Sequence, residues 1–263
     1  MRKALEECLA SLGDVSIAVS GGVDSLTLAV FATRLLGPAR VEIMHAISAA
    51  VPREATERVE MLARSEGFDL TIIDAGEFSD PDYLRNPVNR CFFCKGNLYG
   101  AIAARSSRQV LSGTNLDDLG EYRPGLEAAK NFAVRHPFVE ADIGKQGVRQ
   151  LARDAGLGAL SEISASPCLS SRIETSIAIQ PEMLAAVHRI ETFLTETLKP
   201  QTVRCRVRRS GVAIELDREA LARARGMTDV GRDLRGMLPG AYKNGPLTFE
   251  PYRNGSAFVG VRP

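Results

Sequence analysis

The stretch VSIAVSGGVDSLTLAVF, residues 15–31, decides the fold of this chain. Its first five residues are mostly apolar and predict a buried strand, and the apolar residues after position 25 predict a helix. Between these elements, two glycines permit a sharp turn that leaves the backbone amides uncovered. Together with the hydroxyl groups of Ser20 and Ser25, those amides at a helix N-terminus predict a site for phosphate oxygens.

Residues 20–25 are called the phosphate loop, and two details indicate which class of phosphate-binding loop they would form. Asp24 supplies a carboxylate where a magnesium ion on the phosphates would bind. The loop does not end in Gly-Lys-Ser or Gly-Lys-Thr, which excludes the kinase-type loop. The remaining alternative is an ordinary glycine-rich turn between a strand and a helix.

Three more strands are predicted from apolar segments, at residues 41–47, 70–74 and 109–115. Strands that alternate with helices indicate an α/β fold with a parallel sheet. Ligands of such sheets bind at the carboxyl ends of the strands, where residues 20–25 and 114–118 both fall. Residues 79–90 are predicted to form a loop that precedes a helix over residues 97–104, and residues 116–140 are predicted to be irregular.

The pattern changes after about residue 176. An amphipathic helix is predicted over residues 181–198, and alternating segments 203–208 and 212–216 predict a hairpin. These elements indicate a small α+β domain. We therefore predict two domains, an α/β nucleotide-binding domain over residues 1–175 and a C-terminal domain over residues 176–263 that shapes the substrate and oligomer surfaces.

Composition limits the partners. The chain has 263 residues and a formal net charge of +1, which disfavours a nucleic-acid partner despite the basic cluster at residues 204–209. No apolar run approaches the roughly 20 residues of a membrane helix, so we expect no membrane partner. The charged N-terminus lacks the apolar core of a signal peptide, which predicts a cytoplasmic location.

Cysteines form the second notable pattern. Cys91 and Cys94 have the Cys-x-x-Cys spacing that lets two thiols bind one metal ion or cluster, and Cys168 lies in a turn-like segment. Three thiols fit a [4Fe–4S] cluster with one open iron better than a closed zinc site. The alternatives are a zinc site with His136 as fourth ligand, or no metal, with Cys168 as a reactive thiol beside Arg172.

Four motifs occur in the order SGGVDS (20–25), RCFFCK (90–95), SGTNLDD (112–118) and PCLSSRI (167–173). In this combination the chain resembles the LarE family of the PP-loop ATP pyrophosphatase superfamily over nearly its whole length. The SGGVDS loop is shared by many synthetases, whereas RCFFCK together with PCLSSRI is much narrower.

The resemblance implies an ATP-dependent sulfur transferase of nickel-pincer cofactor biosynthesis. Such an enzyme adenylates a carboxylate of pyridinium-3,5-dicarboxylate mononucleotide, releases pyrophosphate, and then forms a thiocarboxylate with loss of AMP. Some members donate the sulfur of a cysteine at the position of Cys168 and end with dehydroalanine. Others are implied to pass on a sulfide from a three-cysteine [4Fe–4S] cluster, and Cys91 and Cys94 assign this chain to that group. A trimer-based homo-oligomer is also implied.

The resemblance also implies the site residues. Thiols Cys91, Cys94 and Cys168 would hold the cluster, and the ATP and Mg²⁺ site would consist of Ser20, Gly21, Gly22, Asp24, Ser25, Thr114, Asp118, Ser171 and Arg172. The remaining catalytic and substrate-binding residues would be Lys95, Glu191, Glu215, Arg206 and Arg208.

For several of these residues, a purely structural role is an equally good interpretation. Lys95 would then be a solvated lysine, and Asp117 and Asp118 would be helix caps. Glu191 and Glu215 would be salt-bridge partners. For the whole chain, the alternatives are a tRNA thiolase of the PP-loop type, an ammonia-using adenylating synthetase, or a nucleotide-binding scaffold without turnover. The synthetase leaves the three cysteines unexplained.

Overall fold

The computed structural model describes residues 1–120, 123–163, 167–227 and 229–257. The chain divides into two compact units. The first unit consists of Met1–Asp80 and Asn89–Ser166, and the second consists of Pro81–Val88 and Pro167–Pro263. The boundary expected after residue 175 therefore lies within the second unit.

Segment Pro81–Val88 belongs to the second unit, whereas its position in the sequence predicts the first domain. The side-chain amide of Asn86 donates to the carbonyl oxygens of Glu174 and Ile177, each at 2.9 Å. The hydroxyl groups of Tyr83 and Ser170 are 2.7 Å apart. These bonds attach the segment to residues almost ninety positions further along the chain, and the periodicity of a sequence gives no signal of such bonds.

Helices and strands alternate through most of the chain up to residue 163. They are α1 (Arg2–Ala10), β1 (Val15–Val19), α2 (Val23–Leu36), β2 (Val41–Ala46), α3 (Arg53–Glu66), β3 (Asp69–Ile73), α4 (Pro81–Leu84), α5 (Arg90–Ala103), β4 (Gln109–Ser112), α6 (Pro124–Asn131), α7 (Pro137–Glu140) and α8 (Lys145–Asp154). Short 3-10 turns lie at Pro38–Arg40, Glu77–Ser79, Leu116–Gly120 and Gly158–Glu162.

The first unit is built on a four-stranded parallel sheet with the order β3-β2-β1-β4. Every residue of β1 is buried because helices cover both faces of the sheet. Ile17 and Ile43 pack in a core cluster with residues of α2 and α8, whereas Ala18 and Met44 pack with Tyr99 of α5. The predicted α/β fold with a parallel sheet is confirmed.

Three predictions about helices were wrong. Residues 79–90 were predicted as a loop, but they contain α4 (Pro81–Leu84). Helix α5 begins at Arg90 rather than Asn97, so Cys91 and Cys94 lie on a helix and not in a loop. Residues 116–140 contain α6 and α7, which begin at Pro124 and Pro137. Proline in a sequence suggests irregular structure, but at the first position of a helix it loses no hydrogen bond and has a suitable φ angle.

The second unit contains a smaller sheet and several helices. Its elements after residue 167 are a 3-10 turn (Leu169–Arg172), α9 (Pro181–Leu198), β5 (Val203–Arg208), β6 (Gly211–Leu216), α10 (Arg218–Arg225), α11 (Val230–Met237), α12 (Gly240–Lys243) and β7 (Leu247–Pro251). Strands β5 and β6 pair antiparallel as predicted, and β7 pairs parallel to β6. The predicted C-terminal α+β fold is confirmed.

Within the described residues, no helix is both long enough and apolar enough to cross a membrane.

Gly113, which follows β4, lies against the first turn of α2. A Cβ atom at this position would be 2.6 Å from the backbone nitrogen of Ser25 and 2.7 Å from its Cα atom. Real Cβ atoms do not come this close to backbone, so only glycine allows β4 to end against the phosphate loop.

Gly113→Ala should therefore lower the free energy of unfolding of the first unit by roughly 1–3 kcal/mol, the usual cost of overpacking. Gly96→Ala in α5 is the matched control, because an added Cβ meets no atom within 4 Å there. Alanine is also the better helix former, so the control should gain up to about 1 kcal/mol. Urea unfolding followed by circular dichroism measures both changes, and equal midpoints would contradict the close approach.

Candidate functional site

The phosphate loop has the tight geometry that its sequence predicts. Gly21 has a φ angle of +77°, and an added Cβ would be 2.4 Å from the carbonyl oxygen of Ala55. The backbone N–H of Ser20 donates to Ser25 Oγ at 3.1 Å, and that hydroxyl donates to the carbonyl of Gly22 at 3.2 Å. No side chain of the described residues caps the N-terminus of α2, which leaves this helix end suited to an anion.

Asp24 stands in the first turn of α2 and contacts a lysine of α8. The ammonium group of Lys145 is 2.6 Å from Asp24 Oδ2. The other carboxylate oxygen, Oδ1, is buried and has no hydrogen-bond partner among the described residues. Burial raises the pKa of Asp24, while Lys145 opposes that shift. A carboxylate with one buried oxygen left over fits a site for Mg²⁺, which prefers oxygen ligands.

The two aspartates of the SGTNLDD segment (residues 112–118) accept hydrogen bonds from nearby backbone N–H groups. Asp117 Oδ2 accepts the backbone N–H of Lys145 at 2.8 Å, so Asp117 caps α8. Asp118 Oδ2 accepts the N–H of Asn115 at 3.1 Å, and its Oδ1 pairs with Arg123 at 2.7 Å. The helix-cap alternative therefore holds for Asp117, whereas Asp118 fixes the loop.

Thr114 and His136 both contact the last residue of β4. Ser112 Oγ is 3.0 Å from Thr114 Oγ1 and 2.8 Å from His136 Nδ1. Burial lowers the pKa of His136, and the positive charge of Lys95 contributes to the same shift. The ammonium group of Lys95 is also 5.6 Å from the ring centroid of Tyr99.

Cys91 and Cys94 are one helical turn apart in α5, and both are partly exposed. Side chains three positions apart in a helix share a face, so the two thiols fit a pair of metal ligands. Cys168 belongs to the second unit, where it precedes the 3-10 turn and is also partly exposed. Within the described ranges, no group of three or more His, Cys, Asp or Glu side chains is arranged around a metal position.

In the second unit, Arg172 and Glu191 form a buried bidentate ion pair. Arg172 Nε donates to Glu191 Oε1 at 3.0 Å, and Nη2 donates to Oε2 at 2.9 Å. Glu191 Oε1 also accepts the backbone N–H of Cys205 at 2.8 Å. The third guanidinium nitrogen, Nη1, donates to Ser171 Oγ at 3.0 Å and to the carbonyl of Pro167 at 2.8 Å. Arg172 therefore holds the segment that contains Cys168.

Glu215 is the centre of a second group of charges. Its side chain is fully buried, and its two oxygens pair with Arg206 Nε at 3.0 Å and with Arg208 Nη2 at 2.7 Å. Arg206 Nη1 donates to the carbonyl of Ser171 at 2.9 Å. Arg208 Nη1 contacts Glu250 Oε2 at 2.9 Å. The predicted residues of the second unit thus form one connected network, and Glu191 and Glu215 are salt-bridge partners within it.

Three basic residues near these groups were missed by the sequence analysis. Arg58 in α3 donates from Nε to the carbonyl of Gly21 at 3.0 Å, and burial lowers its pKa. Arg204 lies 6.0 Å from the ring of Tyr252, and burial lowers its pKa as well. The sequence marks Lys145 as unusual in one way, because a cation at the first position of a helix opposes the helix dipole. No local feature of the sequence marks Arg58.

Comparison with known proteins gives several relatives, although no protein-family model matches the chain. An uncharacterized protein of Synechocystis sp. is 36% identical over 221 residues, which cover 82% of this chain and 81% of that protein. The pyridinium-3,5-bisthiocarboxylic acid mononucleotide synthase of Lactiplantibacillus plantarum is 30% identical over 219 residues, 82% of this chain and 79% of that protein. One component of the glutamine-hydrolyzing GMP synthase of Methanopyrus kandleri is 28% identical over 176 residues, 60% of this chain and 55% of that protein.

Glu191→Ala should destabilise the protein by about 3–5 kcal/mol, because it leaves the guanidinium of Arg172 buried and unpaired. The Arg172 side chain is only 3% exposed, so water is a poor replacement for the lost carboxylate. Glu196→Ala on the same helix is the control, because Glu196 is exposed and should change the stability by less than about 0.5 kcal/mol. Chemical denaturation measures the free energy of unfolding of both variants. If both variants lose similarly little, the Arg172–Glu191 pair contributes little to stability.

Proposed function

The chain belongs to the LarE family of sulfur transferases, and on that premise we propose that it uses ATP to turn a carboxylate of pyridinium-3,5-dicarboxylate mononucleotide into a thiocarboxylate. The name of the Lactiplantibacillus relative, a synthase of a pyridinium bisthiocarboxylic acid mononucleotide, supports this acceptor. The reaction would belong to nickel-pincer cofactor biosynthesis.

The observation that carries the ATP-dependent step is the phosphate loop with Asp24 beside it. A glycine turn with an uncapped helix N-terminus suits phosphate oxygens. In the proposed step, a carboxylate oxygen of the substrate attacks the α-phosphorus of ATP, and the bond to the pyrophosphate oxygen breaks. The loop amides and the Ser20 and Ser25 hydroxyl groups would hold the leaving pyrophosphate. Mg²⁺ bound to Asp24 would neutralise part of the negative charge of the leaving pyrophosphate.

The second step consumes the acyl adenylate. A sulfur nucleophile attacks the carbonyl carbon, and AMP leaves with the electron pair of the broken C–O bond. The guanidinium groups of Arg206 and Arg208 would bind the phosphate of the mononucleotide. Their pairing with Glu215 fixes both groups before substrate arrives, which reduces the reorganisation that binding requires.

For the sulfur source we propose that Cys91, Cys94 and Cys168 hold a [4Fe–4S] cluster with one open iron. The one-turn spacing of Cys91 and Cys94 supports two of the ligands. Such a cluster, when bound, would carry an external sulfide and so spare the protein from consumption. The alternative is that Cys168 donates its own sulfur and becomes dehydroalanine.

Two other properties remain predictions. The resemblance implies a trimer-based assembly, and the charged N-terminus predicts a cytoplasmic location. A tRNA substrate remains disfavoured because the net charge is only +1. Tight tRNA binding with a steep dependence on salt would support a thiolase instead.

Turnover should release AMP and pyrophosphate, and Asp24→Asn should lower its rate by at least about 10–100-fold because a Mg²⁺ ligand is lost. Asp14→Asn is the control, since Asp14 is an exposed carboxylate of the same unit that pairs with Arg40. Phosphorus NMR of the products measures both predictions. Formation of ADP and phosphate would contradict the proposed attack on the α-phosphorus.

Anaerobic reconstitution with iron and sulfide should load the wild type, whereas Cys91→Ala, Cys94→Ala and Cys168→Ala should each lose both the cluster and turnover. Cys8→Ala should keep both, because Cys8 lies on α1 beside Glu140. Iron and sulfide analysis, with mass spectrometry after turnover, separates the two routes. Dehydroalanine at position 168, with active Cys91→Ala and Cys94→Ala variants, would refute the cluster and establish the sacrificial route.

A further inference from the structure

Lys145 makes an unusual contact at the start of α8. A cation at this position is disfavoured by the helix dipole, yet the side chain reaches across to Asp24 Oδ2 at 2.6 Å. The backbone of Lys145 is fixed separately, because Asp117 Oδ2 accepts its N–H at 2.8 Å. The ammonium group can therefore change its partner without moving the helix.

A purely structural ion pair explains this contact poorly. The two side chains are 30% and 25% exposed, so the pair is only partly buried and still reaches solvent. Solvent screening reduces what such a pair contributes to stability. The pair also leaves Asp24 Oδ1 buried without a hydrogen-bond partner among the described residues. A buried acceptor without a partner is costly, so the ion pair with Lys145 leaves the carboxylate of Asp24 only partly satisfied.

We propose that Lys145 is a nucleotide-binding residue whose ammonium group pairs with Asp24 until Mg²⁺-ATP binds and then transfers to a phosphate oxygen. This inference rests on the ATP site proposed above. Mg²⁺ and the ammonium group compete for one carboxylate, and the triphosphate offers Lys145 a more highly charged partner. After transfer, Lys145 stabilises the negative charge that develops on the leaving pyrophosphate.

The neighbouring cation on α8 is not free to make the same move. Arg149, one turn after Lys145, donates from Nη1 to the carbonyl of Ser161 and from Nη2 to the carbonyl of Ile163 at 2.9 Å. Two carbonyl partners hold its planar guanidinium in place. Lysine has a flexible four-carbon stem and a compact charge, which suits an exchange between two anionic partners.

Isothermal titration with Mg²⁺-ATP tests the transfer. Lys145→Ala and Lys145→Gln should each weaken binding by about 10- to 100-fold, the loss expected for a hydrogen bond to a charged group. Lys145→Arg should recover part of that loss because it keeps the charge. Lys130→Ala is the matched control and should stay within twofold, since Lys130 pairs with Glu127 on the exposed face of α6 at 2.8 Å.

A second titration uses Mg²⁺ without nucleotide, a readout that a structural ion pair would not predict. Lys145→Gln should bind the metal ion more tightly than the wild type, because Asp24 is released from its competitor. Thermal melting confirms that each variant folds. If the wild type binds Mg²⁺-ATP and Lys145→Gln binds it equally well, the transfer is refuted while the proposed ATP site stands. If the wild type binds no Mg²⁺-ATP, both fail.

Discussion

The contact between the backbone of Gly113 and the first turn of α2 sets the geometry of the phosphate loop. It brings the carboxyl end of β4 within van der Waals distance of Ser25. The chain after Gly113 then connects to α8, because Leu116 N–H donates to the carbonyl of Ile143 at 3.1 Å and Asp117 caps Lys145. One loop thus positions two helix N-termini, and Asp24 and Lys145 meet as a result.

The second unit uses buried charge instead of close backbone packing. Removing Glu215 from water is costly, and only its two arginine partners make that burial tolerable. Arg206 and Arg172 also hold Ser171, so the ion pairs of β5 and α9 fix the short turn that follows Cys168. Cys168 is therefore placed by electrostatic contacts that are distant in sequence.

The sequence predicted the elements that burial alone specifies. The strands of the first unit are short apolar runs, and α9 has a clear amphipathic period, so both were located correctly. The start of α5 was missed because Phe92 and Phe93 interrupt any amphipathic period, and nothing local marks Arg90 as its first residue. The attachment of residues 81–88 to the second unit was not predicted, because Asn86 makes it through side-chain bonds that no local pattern contains.

The candidate site residues also fall into two groups, those that a local sequence pattern indicates and those that only folding brings to the site. Residues 20–25 could be proposed as a site because a glycine turn between a strand and a helix is a local pattern that the sequence shows directly. Lys145 carried only one indirect signal and Arg58 carried none, since each reaches residues 20–25 from a helix that folding brings to them. Glu191 and Glu215 were named from the resemblance, and the structure adds the ion pair that each forms with an arginine.

Each unit contains a charged side chain that is not fully paired within the protein. Such a side chain indicates which kind of ligand the unit would bind. In the first unit, Asp24 Oδ1 is a buried acceptor without a partner among the described residues. In the second unit, Arg172, Arg206 and Arg208 pair with glutamates, whereas Arg204 has no ion pair with a described carboxylate and contacts the ring of Tyr252. An unmatched carboxylate oxygen suits a cation, and an unmatched guanidinium suits an anion. A leftover charge alone does not identify a ligand site, because Glu77 Oε2 and Arg108 Nη1 are also buried without a partner among the described residues. Asp24 differs from them because it stands at the start of α2 beside the glycine turn, and Arg204 differs because it alternates onto the same face of β5 as Arg206 and Arg208, the proposed phosphate ligands.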